Sequence, residues 1–145
     1  MKVTNRVVIA VSALLALACS ATAKPTPSKF GSYESALSQL RTARAYIEHP
    51  DSGELHDQEK SAIGEIDAAI NELEAVVHDG KGLADHPSVD SHLAWIPRLN
   101  KAADLLNKAR DNVQKENETS GARERAIQHI AQAHKFVEQA IALEQ

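Results

Sequence analysis

Four stretches of the chain place apolar residues at three- and four-residue steps, the spacing of one face of an α-helix. The first runs through Tyr33, Leu37, Leu40, Arg44 and Ile47. Ser32 reads as its N-cap, Glu34 as a favourable first-turn acid, and Pro50 as a stop near His49. The second carries Ile63, Ile66, Ile70, Leu73 and Val77, with Asp57 as N-cap and Gly80 and Gly82 at its end. The third holds Leu99, Ala102, Ala103, Leu106, Ala109 and Val113, with Pro97 tolerated in the first turn. The fourth holds Ala126, Ile127, Ile130, Ala133, Val137 and Ile141 and is entered from Thr119, Ser120 and Gly121. No stretch shows the β-branched alternation of a strand. Stripes of this kind bury one another, so the pattern predicts an all-α four-helix bundle over residues 32–145.

The pattern also repeats. Ala36, Leu40, Ala43, Arg44 and Ile47 recur in the same spacing as Ala102, Leu106, Ala109, Arg110 and Val113. Ala62, Ile63, Ile66 and Ala69 recur as Ala126, Ile127, Ile130 and Ala133. Two duplicated helical hairpins would produce this, and so would the general likeness of alanine-rich amphipathic helices.

Ahead of the helices the chain has a different character. Lys2 and Arg6 precede an apolar run from Val7 to Ala18, and Ala21-Thr22-Ala23 fits a small-x-small cleavage site. The run is shorter than the roughly 20 residues that span a bilayer. Residues 1–23 therefore read as a signal peptide, and the expected location is periplasmic or extracellular. Pro25 and Pro27 make residues 24–31 a short tether. Cys19 offers a second reading, a lipid anchor after Leu17-Ala18, but Ala16 stands where a bulky residue is expected, so cleavage after Ala23 is preferred.

Export changes the charge. The full chain has 16 basic and 20 acidic residues, a formal −4; losing Lys2 and Arg6 leaves 14 against 20, or −6. A chain without a basic cluster is a poor partner for nucleic acid or an anionic membrane surface. Aromatic residues are 3% of the sequence, so the core must be built from Ile, Leu, Val and Ala. Cys19 is the one cysteine and Met1 the one methionine, which removes thiolate metal sites, disulfides and His/Met haem ligation from a chain that starts at Lys24. There is no Cys-x-x-Cys-His, and no Glu-x-x-His lies within a helical stretch, so covalent haem and a carboxylate-bridged di-iron centre have no ligands. No cofactor is expected.

The connection over residues 79–96 is long for a compact domain, and long loops often carry function. His86, Asp90 and His92, with His78 or Asp85 nearby, are the residue types that hold zinc or a similar ion. The competing expectation is structural: Asp85 caps a turn before Pro87, His86 and Asp90 satisfy loop backbone, and Leu83, Val89, Leu93 and Trp95 plug one end of the bundle. Ser88 beside His86 and Asp90 crowds one turn, and a catalytic triad draws its members from separate elements. His134 sits on an apolar stripe, where a histidine is usually hydrogen-bonded and nothing more. Glu65, Asp67, Glu72 and Glu74 read as solvated helix faces.

Three segments resemble a family of small exported bacterial proteins of unknown function. They are Ala62-Ile63-x-Glu65-Ile66-Asp67-x-Ala69-Ile70, Asp79-Gly80-Lys81-x-x-x-Asp85-His86-Pro87-x-Val89-Asp90, and Leu99-x-Lys101-Ala102-x-x-Leu105-Leu106-x-x-Ala109-Arg110. Ser88 and His78 stand where the family pattern has a second proline and an acidic residue. The resemblance implies an exported helical bundle and implies no activity, substrate or cofactor. Taken together, the expectation is a non-enzymatic exported bundle acting through a protein or small ligand, with a metal-binding protein built on the 78–92 histidines and aspartates as the alternative.

Overall fold

The structure is a computed structural model that describes residues 29–48, 54–77 and 87–143. It has four helices and, among the described residues, no strand: α1 (Gly31–Ile47), α2 (Asp57–Glu74), α3 (Trp95–Gln114) and α4 (Ala122–Ala142). The expected signal peptide and residues 24–28 of the tether lie outside the described residues, as do His49, Pro50, Gly80 and Gly82, and the last tether residue, Gly31, opens α1.

Each helix contributes a strict alternation of small and large apolar residues. On α1 the series is Ala36, Leu40, Ala43, Ile47; on α2, Ala62, Ile66, Ala69, Leu73; on α3, Leu99, Ala102, Leu106, Ala109, Val113; on α4, Ala126, Ile130, Ala133, Val137, Ala140. All are buried. The steps alternate three and four residues, an average of 3.5, so the seam stays on the same side of a gently supercoiled helix. Alanine lets the backbones approach, and the larger residue of the next layer fills the space between them.

Three helix ends, on α1 and α2, differ from the sequence expectation. α1 begins one residue past Phe30, and Ser32 lies inside the helix rather than capping it. The reason is that Ser32 N–H is already satisfied by Glu116 Oε1 at 3.0 Å, from the loop after α3. α2 is capped by His56, not Asp57, because Glu59 in its first turn accepts the His56 N–H at 2.8 Å. It stops at Glu74, well before the glycines, and a turn then buries Val77.

Cross-helix bonds fix the topology. Gln39 accepts from Asn112 at 3.0 Å while the Arg98 side chain reaches the Tyr46 carbonyl, so α1 and α3 are antiparallel. Glu65 with His129 and Glu72 with Arg125 make α2 and α4 antiparallel. Arg41 with Glu74 and Arg44 with Asp67 do the same for α1–α2, and α3 and α4, joined by Asn107 and His134, are then antiparallel as well. It follows that α2 and α3 run parallel, on opposite corners of the bundle, and start at the same end. The connection between them must therefore return from one end to the other. At about 1.5 Å per residue the 18 residues of α2 rise roughly 27 Å. Even a fully extended chain needs about eight residues to cover that. The length of the 79–96 connection thus answers a topological need. Of the four apolar residues expected to plug one bundle end, Trp95 packs against the core; Val89 and Leu93 are half-buried and outside it, and Leu83 is outside the described residues.

The arrangement matches the sequence repeat. α1 packs antiparallel on α3, and α2 on α4, so each helix lies against the one that shares its pattern. Glu65 and His129 occupy equivalent positions in the repeat, and they touch each other at 2.7 Å.

Candidate functional site

The predicted site residues divide. His86, with His78 and Asp85, lies outside the described residues. Asp90 and His92 are both exposed, and Asp90 Oδ1 accepts the His92 backbone N–H at 3.0 Å. That is a local turn of the kind aspartate forms with the backbone two residues on. Among the described residues no group of three histidine, cysteine or carboxylate side chains is placed to hold a metal ion.

A different set of polar residues converges where α2 and α3 begin. Glu59 is 1% exposed, an acid inside the bundle. Its Oε1 accepts the Trp95 indole N–H at 2.7 Å, and its Oε2 accepts the His56 N–H and lies 3.2 Å from His56 Nδ1. A buried carboxylate is tolerable only when donors surround it, and these supply that need. The His56 ring is tilted at 58° to Trp95 with centroids 5.7 Å apart. His56 itself is largely solvent-accessible, whereas Trp95 is half-buried. One turn further along α3, the buried Arg98 reaches the Tyr46 carbonyl in the last turn of α1, where a cation meets the negative end of the helix dipole.

The same end gathers apolar surface. Leu143, just past α4, is 62% exposed, the one large apolar side chain so exposed among the described residues. Ile96, Ile141 and Tyr46, at other helix termini of the same end, are half-buried, and Ile141 and Tyr46 pack against the core. Glu54, Asp57, Lys60 and Asp90, in or just before the first turns of α2 and α3, are exposed. Glu48 also lies at this end, but Arg44 holds it at 2.8 Å.

Sequence reasoning missed Glu59 and His56. The available signal was the three-residue spacing of a capping box, obscured because histidine is an unusual N-cap. It also missed the pairing on α2: Glu65, Asp67, Glu72 and Glu74 are partly solvated, as expected, but each also ties to another helix, through His129, Arg44, Arg125 and Arg41. His134 is half-buried and hydrogen-bonded to Asn107 at 3.0 Å, with Glu138 at 3.6 Å.

Elsewhere, a shallow depression of about 370 Å³ lies along α1 beside Gly31, Glu34, Ser35, Ser38 and Gln39. No described helix is long and apolar enough to cross a membrane. Comparison of the chain with family models, with curated proteins and with solved structures gave no match.

Proposed function

We propose that this protein is an exported, non-enzymatic helical bundle, periplasmic or extracellular, that works by contact with a protein or a small ligand. The contact surface in this reading is the end of the bundle around Trp95. One observation carries it: the single tryptophan is half-buried at this end of the bundle, with its indole nitrogen fixed by a buried carboxylate. An aromatic ring held in place that way offers contact area without having to be ordered on binding. The run from Lys2 to Ala23 and the resemblance to an exported family support the export.

Two measurements test this. N-terminal sequencing of the protein recovered outside the cytoplasm should begin at Lys24; a chain that stays in the cytoplasm and keeps Met1 would remove the export. A photo-reactive side chain at His92, near the Trp95 end, should form a discrete adduct in the producing cell, and one at the exposed Asp104 should not. Adducts at neither position would overturn the contact surface. The metal-binding alternative predicts that zinc, copper or nickel raises the unfolding midpoint after EDTA treatment, with the rise lost in His86→Ala and His92→Ala.

A further inference from the structure

We infer that this chain pairs with a second copy of itself by exchanging hairpins, α1–α2 of each copy closing on α3–α4 of the other. The bundle is held together chiefly between its hairpins rather than within them. The two most extensive helix pairings, α2 with α4 and α1 with α3, both cross from one hairpin to the other. So do the ties of Glu59 with Trp95, Glu65 with His129, Glu72 with Arg125, and Gln39 with Asn112. All of these contacts are equally available to a hairpin from another molecule, and only the course of residues 75–94 tells the two arrangements apart.

Two observations favour exchange. The first is the parallel course of α2 and α3. In a monomer the connection has to cover about 27 Å, the length of α2, to reach the start of α3. With two bundles side by side and antiparallel, the end of α2 in one lies level with the start of α3 in the other. The connection then only has to step across to its neighbour. The second observation is the pair at equivalent positions of the repeat. Because the hairpins share a pattern, a hairpin could also close on its own likeness, setting Glu65 against Glu65 and His129 against His129. Closing on the other hairpin sets Glu65 against His129 at 2.7 Å, so the second copy is taken by exchange and not by like-with-like pairing. A short connection holds its two modules at roughly millimolar effective concentration, so capture of a second copy gains on closure as the protein becomes concentrated.

Full-length protein carrying Cys19→Ser is made as two single-cysteine chains, Gln39→Cys and Asn112→Cys, whose positions touch across α1 and α3. The two are unfolded in urea, mixed, refolded over a range of concentrations and treated with a short bis-maleimide. Light scattering should show a dimer whose ratio to monomer rises about tenfold for a tenfold rise in concentration while monomer is in excess. The crosslink should join one chain of each kind. Glu72→Cys with Arg125→Cys repeats the test across α2 and α4, should the first pair disturb folding. Gln39→Cys mixed with Asp104→Cys, exposed and about 12 Å along α3 from Asn112, should crosslink only at the level of chance collision. Monomer at every concentration overturns the proposal. So does a dimer in which neither pair crosslinks between chains, which would have formed through outer surfaces, or one in which crosslinks between like chains are as frequent as mixed ones.

Discussion

The indole nitrogen of Trp95 lies 2.7 Å from Oε1 of Glu59, and this bond joins the first turns of two helices on opposite corners of the bundle. It is the described polar contact that binds α3 directly to α2. Removing the donor leaves a buried carboxylate with one oxygen unsatisfied. Trp95→Phe should therefore destabilise by roughly 2 kcal/mol, from that lost bond and the smaller ring. In Glu59→Leu the charge is gone, so adding Trp95→Phe should cost clearly less than in the wild type. Urea unfolding followed by circular dichroism measures the cycle. Strict additivity would mean the bond contributes nothing.

Tyr33 presents the reverse case, a buried hydroxyl without a partner. Its side chain is 0% exposed, its ring stacks on Phe30, and its oxygen has no hydrogen-bond partner. Burial, helped by the nearby Glu118 carboxylate, pushes its pKa up from 10.0 to about 12, against a smaller opposing pull from Arg123. Tyr33→Phe should hold or raise stability at neutral pH by up to about 1 kcal/mol, because an unmet polar group leaves the interior. The variants then diverge in alkali. Between pH 10.0 and about 12 the unfolded chain gives up the Tyr33 proton while the folded one keeps it, so wild-type stability falls as pH rises. The phenylalanine variant lacks that loss, and the gap between them should widen by up to about 2 kcal/mol. Parallel denaturation curves at pH 9 and 11.5 that show no widening would contradict it.

Glu118 behaves oppositely in acid. Its carboxylate accepts the backbone N–H of Ser120 and of Arg123 at the entry to α4. Its pKa is lowered, chiefly by the Ser120 hydroxyl, so its contribution is present above the ordinary carboxylate range and fades as pH falls through the lowered value. Glu118→Gln should be less stable than wild type at neutral pH and should converge with it in acid. Thermal midpoints across that range give the answer.

Much of this fold can be read in the sequence, and the reason is local. The three-and-four stepping of Ala36, Leu40, Ala43 and Ile47 marks a helix face whatever it packs against, so helix number and core-facing residues follow from it. Helix direction is another matter. Whether α2 and α3 run parallel is decided by pairs such as Glu59 with Trp95 and Gln39 with Asn112, far apart in sequence and polar in character. The long 79–96 segment was the one clue to the parallel arrangement, and it reads equally as a functional loop. The acids of α2 suffer the same ambiguity: a carboxylate facing water and one facing Arg125 look alike in a sequence. Glu59 was hidden further, since a glutamate in a first helical turn ordinarily serves the helix dipole from the surface.

Two glycines should respond in opposite directions. Gly64 lies in the interior of α2 and is exposed, and a methyl group there would meet nothing within 4 Å. Gly64→Ala should stabilise by about 0.5–1 kcal/mol by reducing the freedom of the unfolded chain. Gly121 caps α4 with φ at 81°, and its added Cβ would stand 3.1 Å from Arg125 Nη1. Gly121→Ala should cost about 1–2 kcal/mol, mostly from the left-handed backbone, since the arginine tip can move. Chemical denaturation of both variants settles the signs.

The parallel course of α2 and α3 makes the connecting segment a span with a minimum length. α2 finishes at one end of the bundle and α3 starts at the other, about 27 Å away by the rise of a helix. Residues 75–94 exceed the roughly eight extended residues needed for that distance, so part of the segment is dispensable to folding. Deleting from its middle down to about ten residues should leave a monomer with a cooperative thermal transition. A further cut to about five, an ordinary length for neighbouring antiparallel helices, cannot bridge the gap. That variant should lose the cooperative monomer and either unfold or associate. Light scattering and thermal circular dichroism follow the series. If the shortest variant melts as a monomer at the wild-type temperature, α2 and α3 are antiparallel and the topology derived from Glu59 and Trp95 is wrong.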